Sequence, residues 1–440
     1  MSHYQETSFS SNWNITLLGL GSVIILLALG LLFLPIFKKP VSSHSSPPQI
    51  NIVEAEKILR HYNGEYLQLI NDYTNALRTT PNDPQLLYVR GRAFFEVKFY
   101  REALHDFEQI YAANSNEYEA LYYRGRTRGR LNDLNGSLAD YNKVLELYPD
   151  HAQAYHGRGY VYSMRDDTER ALENFNKSIQ LDPYGSRSYG GRGAIFIERG
   201  EYQRALEDLD RAITVGENLA MTYYNHGRAN FKLGNFTGAI DDYSRSLEHG
   251  YASEQIYVNR GAAYEAIQDY AAAEADYTTV LNEHPKELEI YRFRGLARSN
   301  QGKYDLALAD FNVVLASNPN QWLALHSRGV TRYLMGDQQG AFQDYTRAAE
   351  LGNLAESYNN IGELYLEWKN YQKAEEYFAK AIQRDPTFAN AYAGHGAACE
   401  RLGMTKKALE DYQQAYQLYS VNADTKNAEK IQQRIQRLKN

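Results

Sequence analysis

Glycine recurs at Gly91, Gly125, Gly159, Gly193, Gly227, Gly261, Gly295 and Gly329, each 34 residues after the last. One step of 33 leads to Gly362 and one of 34 to Gly396. A period of this length demands one supersecondary unit stacked on copies of itself. Four residues before the glycine stands Tyr155, Tyr189, Tyr223, Tyr257, Tyr291, Tyr358 or Tyr392. Twelve residues after it comes alanine, from Ala103 and Ala171 to Ala408, with Ser137 the one exception. Sixteen after it comes an aromatic ring: Phe107, Tyr141, Phe175, Tyr243, Tyr277, Phe311, Tyr345, Phe378 and Tyr412. Spacings of three and four mark one face of a helix, so each unit reads as two helices. The glycine and alanine columns are small because the two helices cross there. Between the helices, Gly200, Gly234, Gly302, Gly336, Gly403, Asn132 or Asp166 suits a left-handed helix end. Proline closes most units, and Gly216, Gly250 and Gly352 are expected to cap three others.

These columns resemble the tetratricopeptide repeat family, whose pattern is an aromatic at position 4, Gly at 8, aromatics at 11, 17 and 24, Ala at 20 and 27, and Pro at 32. The match covers residues 50–422 in eleven units. They are 50–83 (degenerate, keeping Tyr66, Tyr73, Ala76 and Pro81), 84–117, 118–151, 152–185, 186–219, 220–253, 254–287, 288–321, 322–354, 355–388 and 389–422. The resemblance implies an all-α solenoid, a right-handed superhelix of paired antiparallel helices. It also implies a concave groove lined by the first helix of each unit. Residues 423–440 read as a capping helix, with Ala428, Ile431, Ile435 and Leu438 on one face.

Position 7 is polar where the family prefers an apolar residue. Arg90, Arg124, Arg158, Arg192, Arg260, Arg294 and Arg328 stand there. Sixteen residues on come Asp106, Asp140, Asn174, Asp208, Asp276, Asp310 and Asp344. His226 with Asp242 and His395 with Asp411 replace the pair in two units, and the unit with Ile361 carries Tyr377 instead of an acid. A guanidinium near a helix seam needs a carboxylate. The columns therefore predict structural Arg–Asp pairs joining the two helices of a repeat, in preference to an arginine ladder for an acidic ligand.

The N-terminus is a separate object. After a short polar stretch, residues 1–14, the run 15–37 (ITLLGLGSVIILLALGLLFLPIF) holds no charge and is long enough to span a bilayer as a helix. Trp13 flanks one end, and Lys38 and Lys39 the other. The positive-inside rule then puts the repeats on the cytoplasmic side. Residues 38–49 read as a linker.

Chemistry is missing from the motifs. No phosphate-binding loop, zinc-protease or nucleophile-elbow signature occurs. A net charge of -7 argues against a nucleic-acid binder. The lone Cys399 excludes a disulfide or a zinc ribbon, and reads as a small buried hydrophobe. No enzyme activity, cofactor, metal or small-molecule substrate is expected.

By the family's groove positions, the partner-binding candidates are Tyr88, Arg92, Tyr122, Arg126, His156, Tyr224, Asn225, Arg228, Asn259, Arg292, His326 and Asn360. Three units pair tyrosine with arginine four residues on, the pairing favoured at binding hot spots. A solvated surface or an intrahelical stack would present the same residues. Chaperone-docking members hold a terminal carboxylate with a Lys and Asn set that no three consecutive units here supply. The layout is similar to anchored repeat receptors and bacterial envelope regulators. The expected function is a membrane-anchored adaptor binding proteins or extended peptides. The alternative is a scaffold subunit of a membrane complex, or a non-catalytic subunit that recruits an enzyme.

Overall fold

A computed structural model describes residues 65–184, 186–216 and 219–439. The span called over 15–37, the linker and the first part of unit 50–83 lie outside the described residues. Among the described residues there are twenty-two helices and no strand. No helix among them is long and apolar enough to cross a membrane.

From Pro84 onward the helices come in pairs, beginning with Pro84–Glu96 and Tyr100–Ala113 and ending with Ala389–Arg401 and Thr405–Val421. Glu65–Ala76 precedes the pairs, and Thr425–Lys439 follows them. The chain forms two compact units, up to Ile256 and from Tyr257. Within each, successive helices pack on their neighbours in chain order.

Local chemistry explains the pairs. Every turn between the two helices of a pair holds one left-handed residue. Five are the predicted glycines, and Asn132 and Asp166 serve as expected; Lys98, Gln268 and Lys369 adopt the same conformation without that freedom. Asp133, Asp167, Asn235, Asp269, Asp337 and Asn370 then cap the second helix, each side chain accepting from a backbone N–H three residues on or nearby.

The glycine column is small because it lies on the ring of its own second helix. A Cβ on Gly261 would stand 2.7 Å from Tyr277 Cε1. The ring column is the core: Phe107, Tyr243, Phe311, Phe378 and Tyr412 are fully buried. One expectation is corrected. Gly352 does not cap its helix; it is the last residue of Gln338–Gly352, and Asn353 with φ 53° takes the left-handed cap. Gly352 is small because a Cβ there would strike the Trp322 ring at 2.4 Å. At the C-terminus, Thr425–Lys439 lays Ala428 and Ile431 against Ala415 and Tyr419 of the last pair.

Candidate interaction surface

The position-7 arginines bridge helices. Arg90 Nε and Nη2 donate to both oxygens of Asp106 at 2.9 and 2.7 Å. Bidentate pairs of the same form join Arg124 to Asp140, Arg192 to Asp208, Arg260 to Asp276, Arg294 to Asp310 and Arg328 to Asp344, all at 2.5–3.1 Å. Arg158 donates to Asn174 at 2.6 Å. The third nitrogen reaches the second helix of the preceding repeat: Arg192 Nη1 to Asn176 at 2.6 Å, Arg328 Nη1 to Asn312 at 2.8 Å. One guanidinium thus ties three helices. A second arginine joins three of these carboxylates, Arg128 on Asp140 at 3.0 Å and Arg298 on Asp310 and Arg332 on Asp344 at 2.8 Å. Each of these second arginines stands four residues after the first, an Arg-x-x-x-Arg spacing that the sequence carries. These charges are internal and leave little for a ligand.

The other candidates lie on first helices, and first helices of several consecutive repeats approach one another directly. That proximity decides their fate. Tyr88 donates its hydroxyl to Glu119 of the next repeat. His156 Nδ1 lies 3.1 Å from Ser188 Oγ, and His326 Nδ1 2.8 Å from Ser357 Oγ, again one repeat on. Arg228 Nη2 donates to Glu198 of the previous repeat at 2.7 Å. Tyr224, Asn225, Arg228, Asn259, Arg292 and His326 are buried, which differs from the expectation of a groove-lining role. Neighbouring elements cover them: Tyr243 and Tyr251 lie on Tyr224, Glu198 of the previous repeat on Arg228, and Ser357 of the next repeat on His326. Burial pushes His156 and His326 down to about 4, so both are neutral near pH 7. Arg292 Nε donates to Glu289 at 2.9 Å and its guanidinium lies 4.5 Å from the Phe293 ring. Burial lifts the nearby Glu265 carboxyl to about 8, against the pull of Tyr277 and Arg292.

The accessible candidates that gather in one place belong to repeats 84–117 and 118–151. Arg92 is exposed, its guanidinium 4.7 Å from the Tyr123 ring and 5.7 Å from Tyr88. Arg126 lies 5.1 Å from the same Tyr123 ring, 4.5 Å from Phe95 and 5.7 Å from Tyr122. Tyr88, Tyr122, Tyr123 and Arg126 are half-buried. Two guanidinium groups and four rings thus form one partly open cluster. Tyr122 continues it to the His151 ring, 5.1 Å away. Asn360 is half-buried and belongs to the other unit. Tyr123 and Phe95 were not among the candidates, although they stand at positions 6 and 12 of the same first helices, Tyr123 in the column of Asn225, Asn259 and Asn360.

Family models described as tetratricopeptide repeat match residues 88–128, 119–151, 140–173, 191–255, 224–287, 258–321, 294–357 and 355–388, together more than half of the chain. The chain belongs to the tetratricopeptide repeat family. Repeats of this family mediate protein–protein interaction, as adaptors or scaffolds. No curated protein matches the sequence. Among solved structures, the chain is similar to the APC/C hetero-tetramer Cut9–Hcn1 at 15% identity, over 88% of each chain, with a TM-score of 0.45. It is similar to yeast Tom70 at 14% identity, over 87% of this chain and 95% of that one, with a TM-score of 0.43. It is also similar to the C-terminal part of a repeat-containing protein from Cytophaga hutchinsonii at 18% identity, over 54% of this chain and 98% of that one, with a TM-score of 0.44.

Proposed function

We propose that this protein is an adaptor that captures an extended, acidic peptide segment of a partner protein, with the Arg92–Tyr123–Arg126 cluster as its anchor. The observation that carries this reading is the exposed Arg92 guanidinium stacked 4.7 Å from a half-buried ring. An arginine held over a ring can still turn its outward N–H donors to a carboxylate, which a guanidinium grips in bidentate fashion. Its ring partner holds it in place, which lowers the ordering cost of binding. The uncharged run 15–37 supports attachment to a bilayer, and Lys38 and Lys39 support repeats on the cytoplasmic side.

The test is capture of acidic peptides by the full chain in detergent. Arg92→Ala with Arg126→Ala is expected to weaken capture at least about tenfold, in line with loss of a hot spot, while the fold is kept. Unchanged capture would retire the anchor. Arg228 is left out of this variant because it is buried against Glu198. Protease accessibility of the repeats in sealed membranes, before and after permeabilisation, tests the anchoring and the side. Digestion from outside without permeabilisation would overturn the cytoplasmic placement.

A further inference from the structure

We propose that Glu375, His395 and Cys399 form a binding site for a borderline divalent cation of the Zn²⁺ class, held between the tenth and eleventh repeats. Tyr371–Arg384 supplies Glu375, and Ala389–Arg401 supplies His395 and Cys399 one helical turn apart. One donor atom from each of the three lies within 4.8 Å of the others. Four-coordinate zinc, with bonds of about 2.0–2.3 Å, sets its donors about 3.3–3.8 Å apart. His395 Nε2 and Glu375 Oε1 already stand 3.4 Å apart. A small rotamer change of the thiol and carboxylate closes the rest.

The histidine is prepared for this role. Its Nδ1 lies 2.7 Å from Asp411 Oδ2, which fixes the ring and directs the Nε2 lone pair toward Glu375. A carboxylate on one imidazole nitrogen and a metal on the other is the usual outer-shell arrangement of zinc-bound histidine. His395 is 3% exposed, and Nε2 is buried without a hydrogen-bond partner. Its contact with Glu375 Oε1 at 3.4 Å lies outside hydrogen-bond geometry, and a cation between the two satisfies both. Cys399 Sγ lies 3.9 Å from His395 Nδ1 and is fully buried. Thiolate, imidazole and carboxylate together suit Zn²⁺ or Co²⁺ and not Mg²⁺ or Ca²⁺. Ligation releases the thiol proton to solvent.

The molecule contains its own control and its own competitor. His226 stands in the same repeat column, with Nδ1 2.7 Å from Asp242 and Nε2 3.3 Å from Asp210, but Asn230 replaces the cysteine four residues on. Lys407 Nζ lies 2.6 Å from Glu375 Oε1, so an ammonium ion sits on the oxygen the metal would take. The lysine side chain is 46% exposed and can swing away.

The untagged full chain is titrated with Co²⁺ in detergent, and the bound Co²⁺ is then displaced with Zn²⁺. One Co²⁺ per chain is expected, with a thiolate-to-cobalt charge-transfer absorption that Zn²⁺ abolishes. Cys399→Ala removes that absorption and weakens Zn²⁺ binding at least about tenfold. Glu375→Gln, at a side chain 27% exposed, weakens binding without touching the core. His226→Ala leaves it unchanged, and Lys407→Gln tightens it. Circular dichroism checks that each variant is folded. Absence of stoichiometric metal, absence of the charge-transfer absorption, equal affinity in Glu375→Gln, or no tightening in Lys407→Gln would each overturn the site.

Discussion

Of the three repeats of the first unit that carry tyrosine at position 5 and arginine at position 9, two use the pair in opposite ways. Tyr88 is half-buried and Arg92 exposed, with the guanidinium over the tyrosine ring at 5.7 Å. Tyr224 is 1% exposed and Arg228 9%, in nearly the same stack at 5.9 Å. The intrahelical geometry is shared, so it cannot set the exposure. The surroundings do. Tyr251 packs its ring 5.4 Å from Tyr224, and Tyr243 lies 6.1 Å away. Tyr251 follows Gly250 at the column where most units end in proline and where unit 84–117 carries Ser115. Glu198 draws Arg228 back onto the preceding repeat. A repeat column therefore specifies where a side chain starts, and its neighbours specify whether water or a partner can reach it.

The largest expected effect separates the two tyrosines. Tyr224→Ala should destabilise the first unit by about 3–5 kcal/mol, the range for deleting a buried ring, and Tyr88→Ala by well under half as much, in urea titrations followed by circular dichroism. Equal losses would break the comparison. The arginines come next. Arg228→Ala strips a buried contact and should cost about 1–3 kcal/mol, while Arg92→Ala stays within about 0.5 kcal/mol; hydrogen exchange of Leu219–Lys232 against Pro84–Glu96 reads both.

A third test sharpens the point in the other unit, where burial extends to ionisable groups. Glu265 holds its proton up to about 8 when folded, against an ordinary value of 4.5. Between these values the folded state binds one more proton than the unfolded chain. Stability must then fall as pH rises through that window, by about 1.4 kcal/mol per pH unit. Glu265→Gln should flatten the slope in denaturation curves taken at several pH values; a slope that persists would place its origin elsewhere. The smallest expected effect is the most specific. Tyr251→Ser should cost about 1 kcal/mol and raise the nitration of Tyr224, mapped by mass spectrometry. If Tyr224 stays protected, Tyr251 is not its cover.

Most of the fold was legible beforehand because a repeat states its pattern ten times. The helix pairs, the glycine and ring columns and the pairing of Arg with Asp all follow from recurrence, which averages out local noise. The exceptions are single-copy features. Gly352 read as a cap because glycine usually is one, yet its smallness answers the Trp322 ring. Lys98, Gln268 and Lys369 hide left-handed turns, since nothing in those side chains advertises the conformation. The interaction surface was half legible. Tyr88, Arg92, Tyr122 and Arg126 fall together as one cluster, but Tyr123 and Phe95 complete it from positions 6 and 12 of the same helices, which only contact across the repeats brings in. The Glu375, His395 and Cys399 donors were not seen as a group, although His395 and Cys399 share one face of a helix, because Glu375 comes from the previous repeat.

Sequence alone determined what each repeat is: two helices of set length, a left-handed turn between them, a ring over a glycine, and a charge pair across the seam. These are decided within about one period, by spacing and by residue type. Tertiary structure alone decided which of the repeated side chains a partner can touch and which are closed away. That depends on how one first helix meets the next, and on residues 30 or so positions distant, such as Glu198 beside Arg228 and Ser357 beside His326. Contact between repeats is a property of stacked surfaces, and no column within a single repeat encodes it.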